Sequence, residues 1–214
     1  MATWWRSSPE LRAREAAVAA LAGALLAVVL FWPLALHLGR DIPLDLGDPL
    51  SQSWQVAWDG HALLHQPLRF FQSNQFWPLR DTLAFSDALI GYTPAGLFGS
   101  GPHAAVVRYD LLFLLAFAVA FLGAYLLGRE LGLPPWAAAA CGVAFAYAPW
   151  RLEQGGHLHI LSSGGIPLTI FLLLRGWRRE RPWTIVAGFA VAAWQVSLGF
   201  SLGLMLVYLL LVLG

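Results

Sequence analysis

The sequence is poor in charge: Asp, Glu, Lys and Arg make up 12% of its 214 residues, against a hydrophobic share of 58% and a mean hydropathy of +0.64. Soluble domains carry about a quarter of their residues as charges, so an ordinary water-soluble fold is excluded and a bilayer is the expected solvent. Lysine is absent, and all thirteen basic residues are Arg. A formal net charge of +1 excludes a nucleic-acid binder that works through a strongly basic surface. The single cysteine, Cys141, lies inside an apolar run, which excludes an intrachain disulfide framework and a cysteine-based zinc site. There is no internal repeat and no low-complexity tract. The apolar runs lack the two-residue alternation of a membrane barrel, leaving α-helices as the spanning elements.

Those runs are numerous. A transmembrane helix needs about 20 apolar residues. Ala16–His37 supplies 22, follows Arg6, Arg12 and Arg14, and has no small-residue cleavage site, so it reads as a retained signal-anchor. Further runs cover Val106–Leu127, Pro135–Ala148, Ile160–Leu174, Trp183–Val196 and Phe200–Leu213. Between the first and second runs lies a polar stretch, Gly39–Asp87, with six of the twelve acids, all Asp, and three of the thirteen Arg. Ala88–Gly101 is apolar but short and rich in Gly and Pro. Reading it as an interfacial or half-membrane helix puts the N-terminus, Arg129 and Arg175–Arg181 on one side, as the positive-inside rule requires. Trp32, Trp54, Trp58, Trp77, Trp136, Trp150, Trp177 and Trp183 then fall near span ends, where indoles anchor at the interface.

The expected architecture is an all-α polytopic transmembrane bundle of about six spans, with an exterior loop containing interfacial amphipathic helices. Its parts are a cytoplasmic N-terminus (1–15), a first transmembrane helix (16–38), the exterior loop (39–103) and a helical bundle (104–214). The last run reaches Gly214 without a polar tail, so the sequence is expected to be the N-terminal part of a longer protein.

In the exterior loop, Leu50, Trp54, Ala57, Trp58, Ala62 and His65 recur at helical spacing, opposite Ser51, Gln52, Gln55 and Asp59. Such a helix is expected to lie flat in the interface with its indoles at headgroup depth. Asp48 opens it, and two readings stand. A carboxylate at this position is available as a general base, or it caps the helix, since Pro49 follows at a first-turn position. Asp45 reads as solvated or capping, and Ser86 or Asp87 as the cap of a helix over Ala88–Leu97. A second exterior segment, Pro149–His159, brings Arg151, Glu153, His157 and His159 to the same face. A guanidinium and an imidazole there are suited to a lipid-borne phosphate, while Glu153 equally reads as a plain partner of Arg151. His157 and His159, two apart, point to different sides of a helix, which disfavours a shared metal. Arg108 and Asp110, at a span's outer end, are either functional or mutually screening. Ser162 and Ser163 lack the glycine spacing and a base for a serine peptidase.

Taken together, Gly47-Asp48-Pro49 leading into a Trp-bearing helix, Asn74-Gln-Phe-Trp-Pro78, Thr82-Leu-Ala-Phe-Ser86-Asp87, and Phe145-Ala-Tyr-Ala-Pro149-Trp-Arg151 before Gly156-His157-Leu-His159 form a pattern over Ala16–Gly214. It resembles the start of bacterial polytopic GT-C-type glycosyltransferases. The resemblance implies an integral protein of the bacterial plasma membrane. It would move a sugar from a polyprenyl-phosphate donor to a hydroxyl acceptor outside the cytoplasm, with inversion, among membrane lipids and with no nucleic-acid partner. It places the base at Asp48 and the substrate contacts at Arg151, Glu153, His157, His159, Asp87, Trp54 and Asn74, and implies no resident cofactor. Many such proteins pair two acids at this position. Here Pro49 follows Asp48 and Asp45 is the nearest acid, a departure that tells against metal assistance while a divalent metal stays open as an alternative. Two other classes fit the composition: a non-catalytic membrane subunit of the same fold, and a transporter, for which the broken segment Ala88–Gly101 and Gly199 would mark a midplane site. Against transport, the polar residues gather at one surface.

Overall fold

The computed structural model describes residues 10–213, and among them there are helices and turns but no strand. The helices are α1 (Ala13–Leu30), α2 (Asp48–His65), α3 (Thr93–Gly96), α4 (Gly101–Glu130), α5 (Pro135–Ala146), α6 (Pro149–Glu153), α7 (Leu158–Leu161), α8 (Gly165–Arg178), α9 (Pro182–Leu198) and α10 (Phe200–Leu213). Three stretches, Ala13–Leu30, Gly101–Glu130 and Leu158–Arg178, are long and apolar enough to cross a membrane, and Pro182–Leu198 and Phe200–Val212 are shorter apolar helices.

α1 shows what solvent the exterior is built for. It buries only Ala19, Gly23 and Ala27, a stripe at four-residue spacing against α4, while Val18, Leu21, Leu25 and Val29 stay exposed. An apolar helix with so little of itself packed needs lipid around the rest. Trp32, Trp136, Trp150, Trp177 and Trp183 project near helix ends and are each more than half exposed.

The centre is α4, whose 30 residues reach about 45 Å at 1.5 Å per residue. α1, α5 and α8 pack around it. Glycines make the approaches close: a Cβ on Gly123 would lie 2.6 Å from the Gly164 carbonyl oxygen, and one on Gly142 would lie 2.9 Å from the Phe121 ring. Small residues at helix crossings are how bundles in lipid gain dispersion energy. The core around α4 is aromatic, with Phe31 set at 4.8 Å from Phe113, and Phe117 stacked on Tyr147 at 5.4 Å.

Side-chain contacts fix the directions. Arg129, near the C-terminal end of α4, meets Glu15 of α1 at 2.5 Å, and Tyr125 donates to the same carboxylate at 2.9 Å. Glu130, 1% exposed, accepts from Arg175 at 2.8 Å and lies 3.2 Å from Arg178. The start of α1 and the ends of α4 and α8 therefore share one arginine-rich end. α2, α6, α7 and the start of α10 lie at the other.

Two local expectations change. Ala88–Leu97 is not one helix. It is a 3-10 turn, Ile90–Tyr92, followed by the four residues of α3, because Leu89 takes a left-handed φ of 53° and Pro94 withholds a donor. The run Pro135–Ala148 yields only the 12 residues of α5, about 18 Å, since Tyr147 and Ala148 turn the chain into α6 at Pro149. Arg6 and Gly214 lie outside the described residues.

Candidate functional site

Residues from α2, the loop before the Ile90–Tyr92 turn, and the α6–α7 turn line a cavity of about 280 Å³. Asp48, Gln52, Asp87, His157 and His159 provide its polar wall, and Phe76 and Phe85 its apolar one.

The local sequence explains how Asp48 is left available. Gly47 is the N-cap of α2, its N–H donates to Asp45 Oδ1 at 2.7 Å, and no side chain caps the helix. Asp48 is thus the first helical residue rather than the cap, and the capping reading does not hold. Its Oδ2 lies 3.0 Å from His157 Nε2, with the side chain 62% exposed. Asp45 takes the neighbouring turn instead.

Gln52, one turn further along α2, is the joint of the site. Its Oε1 accepts the Leu158 N–H at 2.7 Å, fixing the start of α7, and its Nε2 faces His159 Nδ1 at 3.5 Å. With an amide donor on Nδ1, the neutral ring carries its proton on Nε2. That nitrogen points at Asp87 Oδ2, 3.4 Å away. Asp87 Oδ1 accepts the backbone N–H of Phe200, and its carbonyl accepts from Gln55 at 2.8 Å. Asp87 therefore caps α10 across the fold, not the following stretch of chain. The His157 and His159 rings meet edge to face with centroids 5.8 Å apart, and His157 Nδ1 is buried without a partner.

Arg151 does not join them. It is fully buried, Nε donating to Ala146 O at 3.0 Å, Nη1 to Ser163 Oγ and Nη2 to Leu161 O at 2.6 Å. Phe117 and Phe145 each lie 5.6 Å from its guanidinium carbon. Burial lowers its pKa to about 10. It ties α5, α6 and the α7–α8 turn together, and no nitrogen is left for a phosphate. Glu153 is exposed and does not pair with it. Trp54 sits on the other side of α2, stacked on Trp58 at 5.8 Å, and Asn74 is exposed while its neighbour Gln75 lines the cavity.

Sequence reasoning missed Gln52, Gln55, Gln75, Phe76 and Phe85 as lining residues. A signal existed for two of them: Asp48, Gln52 and Gln55 are four and three residues apart, on one helix face. The same face continues to Asp59, fully buried with both oxygens unpartnered, where burial raises the pKa to about 8. Nor do Arg108 and Asp110 screen each other. Arg108 donates to the carbonyls of Phe98 and Gly99, and Asp110 accepts the Gly39 N–H at 2.9 Å. Ser162 Oγ lies 2.7 Å from the Tyr92 hydroxyl and donates to Leu158 O at 2.6 Å, with no imidazole bonded to it. No cluster of three His, Cys, Asp or Glu among the described residues is placed to hold a metal ion.

No protein-family model matches the chain, and neither does a curated protein or a solved structure.

Proposed function

We propose that the chain is a membrane-embedded inverting glycosyltransferase that takes a sugar from a polyprenyl-phosphate donor and delivers it to a hydroxyl acceptor. In this reading it crosses the bacterial plasma membrane six times, by α1, α4, α5, α7–α8, α9 and α10, with the arginine-rich end in the cytoplasm. The observation that carries the reading is the accessible Asp48 carboxylate, uncommitted to capping and held against His157 at the cavity.

The acceptor hydroxyl gives its proton to Asp48 as its oxygen bonds to the anomeric carbon from the face opposite the donor phosphate. The bond from that carbon to the phosphate oxygen breaks with its electron pair, and polyprenyl phosphate leaves. His157 positions the base through its 3.0 Å contact. His159 can meet the growing phosphate charge only by turning its Nε2–H from Asp87, 3.4 Å away, to the phosphate, a role that Arg151 cannot fill from inside the fold. Gln75 and the Oε1 of Gln55 offer amide groups to sugar hydroxyls, and Phe76 and Phe85 offer ring faces. A donor whose tail lies in the bilayer already has its phosphate confined to this plane, so orientation is what the protein must add.

Asp48→Asn is expected to lower transfer from polyprenyl-phosphate sugars by about 10²–10⁴ in membrane vesicles while membrane insertion is unchanged. Undiminished transfer by the Asn variant removes Asp48 from the chemistry and the reading with it.

A further inference from the structure

On the side of α2 away from Asp48 lies a second and larger groove, of about 630 Å³. Leu50, Trp54, Ala57 and His61 form one wall, and the chain from Gly96 to Arg108 forms the other. Its lining contains no Asp or Glu, and its one guanidinium is Arg108. That side chain is 8% exposed, yet only Nη1 is engaged, by the carbonyls of Phe98 and Gly99. Nε is buried without a partner, and Nη2 makes no hydrogen bond among the described residues. Asp110, two residues on, is turned to the Gly39 N–H and does not neutralise it.

A charge withdrawn from water and left short of partners is costly. An apolar groove that ends on such a charge, with no acid in its walls, is complementary to an amphiphile with an anionic head. The start of α4 adds to this, since Ser100 gives its free N–H groups no side-chain cap. A free phosphate ion would leave the apolar walls unused, and an uncharged lipid would leave Arg108 unmet. The wall itself, with Trp54 beside Leu50, belongs to a helix whose apolar side is suited to the membrane interface.

We propose that this groove binds one anionic phospholipid of the surrounding bilayer, an acyl chain along α2 and the phosphodiester on Arg108. The site lies across α2 from the Asp48 cavity and requires neither donor sugar nor transfer, so it goes beyond the transferase reading.

The full chain, purified in a maltoside detergent, is titrated by native mass spectrometry with dioleoylphosphatidylglycerol and with dioleoylphosphatidylcholine. The anionic lipid is expected to bind at least about tenfold more tightly, the worth of a charge-assisted contact. Arg108→Gln should bring the two lipids level. Ala57→Trp, which fills the groove from a partly exposed position that supplies none of the Arg108 hydrogen bonds, should weaken both lipids even where the first variant does not fold. Equal binding of the two lipids by the parent chain overturns the proposal, as does undiminished phosphatidylglycerol binding in Ala57→Trp or in folded Arg108→Gln. One-for-one displacement by polyprenyl phosphate also overturns it, since the groove would then belong to the donor. Asp48→Asn should keep the lipid preference, so that loss of transfer and loss of lipid binding are read separately.

Discussion

Asp59 has a folded pKa near 8 and an unfolded one near 3.8, with burial as the cause. Between those values the folded state holds a proton that the unfolded chain releases, so stability falls as pH rises from about 4 to about 8 and is lowest above that range. Asp59→Asn keeps the shape and removes the ionisation. It should melt close to the parent at pH 4 and clearly above it at pH 9 in detergent; parallel melting curves across that range would show that Asp59 carries no such load. The residue also marks how far a sequence can be read at this scale. The pairing of Asp48 with the 157–159 segment was legible because both were assigned to one membrane face by charge and span counting. The fate of Arg151 was not, since a guanidinium beside an exterior loop looks the same in sequence whether it meets a ligand or, as here, three groups of its own fold.

α2 was legible as a helix and as amphipathic, and its orientation depends on what surrounds it. In water the apolar stripe would turn inward. Here Pro49, Gln52, Ser53, Val56, Asp59, Gly60 and Ala62 are buried while Leu50, Leu63 and Leu64 are exposed, so that the polar side chains of Gln52, Ser53 and Asp59 turn toward the protein. This inward face is seated by a crossing of α2 with α3 so close that a Cβ on Gly60 would stand 2.2 Å from Gly96 O, and one on Gly96 would stand 2.2 Å from Val56 O. Backbone cannot yield as a side-chain tip can. Gly60→Ala and Gly96→Ala are each expected to cost 3 kcal/mol or more, roughly the upper range for overpacking, and to loosen both the Asp48 cavity and the groove opposite. Gly101 is the control: its φ of +79° strains an alanine, but open space surrounds it, so Gly101→Ala should cost only about 1–2 kcal/mol. Equal loss of melting temperature in all three variants would mean that contact at the crossing is not what holds α2.

For the whole molecule, the order of apolar runs and arginines was enough to anticipate a helical bundle with two chemically different ends, because hydropathy and charge placement are properties of the sequence alone. Helix lengths were less legible. α5 stops at 12 residues, where Tyr147 and Ala148 turn the chain toward Pro149, and Leu158–Arg178 runs through the α7–α8 turn. The positive-inside rule reads the arginine-rich end as a topology signal, and it is also structural, with Glu130 buried between Arg175 and Arg178 and Glu15 held by Arg129. These contacts place the ends of α1, α4 and α8 together independently of any bilayer, so sidedness reduces to which face of the membrane that end occupies. A cysteine-accessibility reporter at residues 178–181 is expected to react only from the cytoplasm, and one at residues 66–75 only from outside, with Cys141 replaced by Ala in both. Cys141 is exposed and would otherwise contribute its own signal. Labelling of both reporters from one side would contradict the two-ended arrangement, and the reversed pattern would put the Asp48 cavity in the cytoplasm, out of reach of an exported acceptor.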